Sequence, residues 1–383
     1  MRTSRSFAMV AAVAALALTM SACSSGDEPS SSPSESAALS ADAQAALDKA
    51  FTGFGSDLSD LTSVTPKADQ KFYVMSCGES NPTCHAPAAA MVDAAKAAGW
   101  TGEIVDGKLS PEGFATAIRQ ATAAGATVLV PIGISCSGAA AAFQEAKAAG
   151  VTIVGGGGQD DCSPKVWDSE RLWLPADDQP TPYGIFGAFG TLQADYVFGK
   201  TNGDPKAVVI NMTSQPWGQL ITDSFSDELK KLGGGEVLAQ VDVTDPETAD
   251  GSYIQKVTSA LLANPDANAL IVPTDGYLVN GLAAAINQAG LADKLVVVGN
   301  FGSEAALDMI RSGTPGITAT IGDAQDWEAW GSIDTAIRVL DGKDPAYIGQ
   351  TIQAVDADNN MPDSGAYNGA IDWKSAFLTS WGK

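Results

Sequence analysis

Four cysteines stand in the body of this 383-residue chain where they could do chemistry: Cys77, Cys84, Cys136 and Cys162. With His85 beside Cys84, zinc ligation is one option, but the spacing fits no common zinc pattern. In an oxidising compartment the four would form two bridges. Of the three possible pairings, Cys77–Cys84 closes a short loop and Cys136–Cys162 ties two neighbouring strand ends, and this pairing is favoured. Other reactive patterns are missing. His85 is the only histidine. There is no Gly-x-Ser-x-Gly, no nucleophile–base pair and no metal-ligand cluster, which argues against an enzyme and against a cofactor. The run Gly155–Gly158 lacks the Lys-Ser/Thr that makes a glycine loop a phosphate site.

The elements that must position Cys136 and Cys162 are the clearest in the chain. Thr127–Ser137 (TVLVPIGISCS) opens as a strand buried on both faces and ends small and polar. Val151–Cys162 (VTIVGGGGQDDC) repeats that course, and an Ala-rich helical segment closed by Gly150 joins the two. Strand, helix and strand imply parallel neighbours with a right-handed crossover. Both cysteines then lie at the carboxyl ends of strands, the edge at which open α/β sheets bind ligands.

The first 22 residues read as an export signal: Arg2 and Arg5, an apolar stretch from Phe7 to Met20, then Ser21 and Ala22 before Cys23. Met20-Ser21-Ala22-Cys23 resembles a bacterial lipobox, with Met20 where Leu is preferred, so Cys23 is the expected lipidation site. An ordinary secretory signal with an incidental cysteine is the alternative. The Ser/Pro/acid-rich stretch from Ser24 to about Ser40 suits a flexible tether. Removing residues 1–22 takes away two arginines and no acid, so the formal charge moves from −23 to −25. A surface this acidic repels phosphate backbones and excludes nucleic acid as a partner.

Ala41 to Leu61 has helical spacing and ends at Thr65-Pro66. The first β/α set follows: strands at 71–76 and around 103–105, then the two runs described above, 127–137 and 151–162, as strands three and four, with a further strand expected at Arg171–Leu174. Pro87 is expected in the first turn of a helix ending near Gly99, and Pro111 opens the next helix. After the Pro/Asp-rich stretch 175–182 comes a second set. Its strands are expected at 206–211, 236–241, 267–272, 295–298 and 317–321, with helices between them. A helix at 326–340, a strand at 347–355 and a last helix at 372–381 complete the chain.

In this order, the export cysteine, the tether, two Rossmann-like lobes, ITATIGD before a helix, KFYVMSCG at the first strand and DWKSAFLTSWG at the end resemble a type I periplasmic solute-binding protein. The branch resembled is the sugar-type one that serves ABC importers. The resemblance covers about residues 70–383. It implies an α/β fold of two doubly wound lobes joined by a three-strand hinge, which closes on a guest without altering it. The expected divisions are residues 1–22 as lipoprotein signal and 23–64 as lipidated tether with a short helix. Lobe I takes 65–178 plus 325–343, and lobe II takes 179–324 plus 344–383. The implied partners are a small molecule, an ABC-transporter permease and the membrane, reached through the lipid on Cys23 at the outer face of the cell membrane. The expected state is a monomer. A sensor feeding a membrane receptor would use the same cleft.

The cleft such a protein needs is lined by strand-end loops of both lobes. Lobe I would contribute Ser76, Asn81, Ser135, Gln159 and Asp160. Lobe II would contribute Trp217, Thr274, Asp275, Asn300 and Phe301, and the hinge Gln325 and Trp327. Amide and carboxylate side chains locate hydroxyls, and aromatic faces stack on a sugar's C–H face or a flat ring. Trp327 and Trp330 are spaced for core packing as well, and Asp160-Asp161 also suits a plain turn. Three departures from the resembled branch bear on the ligand. Gly157-Gly158 stand where an Asp-Arg pair is usual, and Gln219 or Ile221 where an Arg is usual. Gly299-Asn300-Phe301-Gly302 replaces Gly-Phe-Asp-Gly. They point away from an ordinary pentose or hexose and make a less polar or aromatic ligand the alternative.

Overall fold

The structure, a computed structural model, describes residues 38–214 and 216–383. The export signal, Cys23 and the tether up to residue 37 lie outside the described residues.

The chain enters through α1 (Ala41–Thr52), whose N-cap Ser40 accepts a hydrogen bond from the Ala43 amide at 3.2 Å. A first β/α set follows: β1 (Lys71–Ser76), α2 (Pro82–Ala98), β2 (Thr101–Asp106), α3 (Pro111–Ala123), β3 (Val128–Pro131), α4 (Ala140–Ala148) and β4 (Thr152–Ile153). Its strands form a four-stranded parallel sheet in the order β2-β1-β3-β4. The apolar runs of β1 and β3 are buried because helices cover both faces of the sheet. Helix α2 begins five residues before Pro87. Asn81 caps it and Pro82 takes the first position, where a missing N–H costs nothing, so Pro87 sits inside the helix.

The second set is α5 (Gly184–Lys200), β5 (Lys206–Met212), α6 (Pro216–Leu232), β6 (Glu236–Val243), α7 (Asp245–Asp250), α8 (Tyr253–Ala263), β7 (Ala269–Ile271), α9 (Asp275–Tyr277), α10 (Ala283–Gln288), β8 (Val296–Phe301), α11 (Glu304–Arg311) and β9 (Ala319–Asp323). The chain closes with α12 (Gln325–Leu340), β10 (Ile352–Val355) and α13 (Trp373–Ser380). The larger sheet has six strands in the order β10-β9-β8-β7-β5-β6, with only β10 antiparallel.

Arg171–Leu174 is not a full strand. Leu172 and Trp173 accept hydrogen bonds from Ile348 (2.9 Å) and Gly349 (3.0 Å), so the segment is a crossover paired with the returning chain. Helix α12 packs on α2 of the small-sheet lobe, while β10 joins the large sheet. The block 344–383, expected wholly in lobe II, is divided. β10 belongs to the large sheet, but α13 lies on α12, because Trp373, Phe377 and Trp381 bury against Trp330. Four indoles gather there. Trp330 stacks on Trp381 (5.4 Å, 6°), Trp327 stacks on Trp373 (6.3 Å, 18°), and Trp330 meets Trp373 edge-on at 5.7 Å.

Disulfides join Cys77 to Cys84 and Cys136 to Cys162, with Cα separations of 5.4 and 5.5 Å. Cys136, Cys162 and Asp160 lie close enough to suggest a metal site, but both sulfurs are spent in the bridge.

Candidate functional site

At the carboxyl edge of the small sheet, the expected ligand contacts mostly hold loops in place. Ser76 is fully buried and its Oγ accepts from the Gly78 amide at 3.3 Å. Asn81 is occupied as the α2 cap, accepting from the Thr83 amide at 3.0 Å. Ser135 Oγ accepts from the Gln159 amide at 3.2 Å and so ties two strand-end loops together, while the Gln159 residue itself is exposed. Asp160 is buried, and its Oδ2 accepts from the amides of Val166 (2.7 Å) and Trp167 (2.8 Å), which makes it a turn anchor. The glycine run serves packing. A Cβ on Gly156 would lie 2.6 Å from the Pro131 carbonyl, and one on Gly158 would collide with the Ile134 carbonyl.

The large-sheet edge differs. Trp217, at the start of α6, stacks on Phe186 of α5 with centroids 5.7 Å apart and planes 14° from parallel. Phe301, at the end of β8, meets Trp217 edge-on at 6.3 Å and Phe189 at 5.0 Å. The three rings of Phe186, Trp217 and Phe301 are all half-buried, so they form a wall that still has faces to offer. Phe301 has φ +89°, a costly backbone conformation for a bulky residue and one that tends to mark functional sites. Next to it, Asn300 is fully buried. Its Nδ2 donates to the Pro273 carbonyl at 3.3 Å, and its Oδ1 has no hydrogen-bond partner among the described residues. A buried acceptor left unmatched is expensive unless a guest supplies the donor.

Asp275 is tied to its own strand ends. It is buried, with Oδ2 accepting from the Ser303 amide (2.8 Å) and Oδ1 from the Thr320 hydroxyl (2.8 Å), so it braces the ends of β8 and β9. Thr274 precedes it, half-buried, at the N-cap of α9. Trp327 is fully buried, donates Nε1 to the Ile348 carbonyl at 2.6 Å and belongs to the indole cluster, the core packing that its spacing from Trp330 also allowed. Gln325 is half-buried in the first turn of α12.

Between the two edges lies a polar floor that sequence reasoning missed. Asp323 ends β9, one residue past Gly322, which pairs with Phe301. Gln350 donates to the Asp323 carboxylate, and its own Oε1 is buried without a partner among the described residues. Arg171 pairs with Glu328 and donates to Ser332 Oγ at 3.2 Å. A Cβ on Gly157 would stand 3.7 Å from both the guanidinium and the Glu328 carboxylate, an ordinary contact, so it is the φ of +104° that favours glycine beside this pair. Tyr367 covers Gly322, and its hydroxyl is buried without a partner. Placing the acid at the strand end, rather than two residues on at Gln325, would have found Asp323. Arg171 was hidden because RLWL reads as a strand.

Burial dominates the electrostatics of these acids. It raises Asp323 to about 7 against the opposing pull of Arg171 and the Gln350 hydrogen bond, and it raises Asp275 to about 7 despite its donors. Burial also lowers Arg171 to about 10, with Asp323 opposing. The folded chain therefore holds protons that the unfolded chain releases near the ordinary carboxylate pKa. The stability these two acids contribute is complete below about pH 4 and is lost as the pH rises through the folded value near 7. Urea unfolding should show stability falling by about 1–3 kcal/mol between about pH 5 and pH 8. A rise over that interval would contradict the protonated assignment.

A family model described as a periplasmic binding protein domain matches residues 72–344. No curated protein matches the sequence significantly. Among solved structures, the chain is similar to a glucose-galactose binding protein from Geobacillus stearothermophilus (17% identity, 76% of this chain and 99% of that one, TM-score 0.61). It is also similar to a periplasmic ribose ABC transporter protein from Conexibacter woesei (18%, 78% and 94%, TM-score 0.61). A third is an arabinose binding protein from Geobacillus stearothermophilus (17%, 76% and 97%, TM-score 0.61). At these identities the structural likeness speaks for the fold.

Proposed function

Because the chain belongs to the periplasmic binding protein family, we propose that it captures a neutral, hydroxyl-bearing small molecule, a sugar or sugar-like polyol, in the interlobe cleft and does no chemistry on it. The observation that carries this reading is the wall of Phe186, Trp217 and Phe301 next to the unmatched buried acceptor of Asn300. Ring faces take the C–H side of a saturated ring, and the acceptors of Asn300, Asp323 and Gln350 take its hydroxyl donors. The similar glucose-galactose and arabinose binding proteins agree with this chemistry. The protein then works outside the cytoplasm, held to the outer face of the cell membrane through a lipid on Cys23. It acts as a monomer that delivers its closed form to an ABC permease. Lobe boundaries near 178, 324 and 344 suit that motion, with α13 counted with lobe I.

A flat, less polar ring is the second reading. It is favoured by the same aromatic wall and by the two glycines that replace the usual Asp-Arg pair.

A thermal-shift screen over sugars, polyols, amino acids and aromatic acids tests both. A ligand at 100 times its dissociation constant adds about 2.7 kcal/mol to the folded state. Dose-dependent stabilisation by a neutral polyol supports the first reading, and stabilisation by aromatic compounds alone supports the second. No response to any of them would remove the capture function.

A further inference from the structure

The segment ahead of β1 lies outside the family match, which begins at residue 72. It is nonetheless bound to both lobes. On the large-sheet side, α1 packs along α5, with Ala43, Ala46, Leu47 and Ala50 buried. Lys49 reaches two carboxylates that are themselves buried, Asp195 at 2.9 Å and Glu228 at 2.6 Å. Phe54 then exchanges two hydrogen bonds of 2.8 Å with Ile352 at the start of β10, adding a pair to the sheet edge. On the other side of the hinge, the carbonyl of Thr62 accepts from Arg338 of α12 at 2.8 Å, and the Val64 amide donates to the Ser380 carbonyl of α13 at 2.9 Å. Leu58 and Val64 are buried there.

Between these anchorages the segment runs directly along the returning hinge chain. The Ser56 amide donates to the Gly349 carbonyl at 2.8 Å. The contact is backbone on backbone, and glycines make it possible. A Cβ on Gly53 (φ +67°) would collide with the Ile352 carbonyl, and one on Gly349 (φ +61°) with the Ser56 hydroxyl.

We propose that residues 41–64 form a strap that restrains the hinge and sets the resting angle of the lobes. Only nine residues, 53–61, separate the end of α1 from Thr62. Such a span reaches at most about 3.3–3.6 Å per residue, and part of it is held down by the Phe54–Ile352 and Ser56–Gly349 backbone hydrogen bonds, so a swing of the lobes acts on the strap. Lobe movement must bend the strap or peel one end of it away. This inference rests on the two-lobed, hinged reading of the fold and not on the identity of the guest.

The test uses the mature chain without ligand. Nitroxides at Lys96→Cys on α2 and Leu262→Cys on α8, in a Cys23→Ser background, report the interlobe distance by pulsed electron resonance. A flexible Gly/Ser insert of about six residues between Ser56 and Asp57 lengthens the strap while leaving both anchors intact. The expected result is a broadened distance distribution with a displaced mean, at a melting temperature within about 3 °C of the parent. Ser56→Pro, which removes the one N–H facing Gly349, should shift the distribution in the same direction by less and covers the case in which the insert fails to fold. Distributions that superimpose on the parent in a folded variant overturn the proposal, whatever the cleft binds. A variant distribution that stays as narrow as the parent's after insertion, in a chain that still answers the thermal screen, overturns the strap and spares the capture reading.

Discussion

Arg338→Met is expected to cost about 3–5 kcal/mol of folding stability, the usual loss when one member of a buried ion pair is removed. Arg338 is 1% exposed and holds Asp334 through Nε at 2.6 Å. It also donates to Thr62 Oγ1 at 3.0 Å and to Ser380 Oγ at 3.2 Å. Removing it leaves the Asp334 carboxylate in a dry setting with the Trp381 indole N–H, at 2.8 Å, as its remaining hydrogen bond. Urea unfolding should show a lower midpoint at unchanged slope. The double variant Arg338→Met with Asp334→Leu should recover part of the loss, because the stranded charge goes with its partner. If the double variant is less stable than the single one, the damage comes from lost contacts to Thr62 and Ser380 and the charge argument is wrong.

The second large effect is on binding. Trp217→Ala should weaken the best compound from the thermal screen by roughly 10- to 100-fold, since a central aromatic anchor contributes about 1–3 kcal/mol. Trp217 is the ring shared by Phe186 and Phe301, so its loss opens the wall in the middle. Its half-exposed position limits the expected loss of stability. Trp217→Phe should retain most of the affinity, because a ring face remains. Calorimetry that finds Trp217→Ala within twofold of the parent would move the guest to another surface.

Much of the fold was legible because period and punctuation agree in this chain. Short β-branched runs closed by Gly or Pro located most strands, and Pro111 and Gly99 marked helix ends. The cysteine pairing followed from adjacent strand ends. The failures share one cause, since each concerns a segment whose conformation is set by distant chain. Arg171–Leu174 has strand composition but pairs only with the hinge return. Tyr347 was placed in a strand that begins at Ile352, because the hinge residues between them bond to the crossover and to the strap. At the site, residue type alone could not separate an acid that waits for a guest from one that is already occupied. Asp160 and Asp275 looked the part and are bound to the chain's own amides and hydroxyls. Trp217 and Phe301 were named for their large rings, and the structure brings the two edge to edge. Phe186 was missed because it reads as part of an apolar helix.

The indole cluster on α12 and α13 has an optical consequence. Four of the eight tryptophans, Trp327, Trp330, Trp373 and Trp381, are stacked at one place beside the hinge, with Lys374 Nζ 5.0 Å from the Trp330 ring centre. Excitation energy absorbed by any of them passes to its neighbours, and a nearby cation shifts the emission of the ring it faces. Half of the indoles that give this protein its native ultraviolet fluorescence therefore sit at one spot, beside the chain crossings. A titration in a plain cuvette, with no dye attached, would read any rearrangement there.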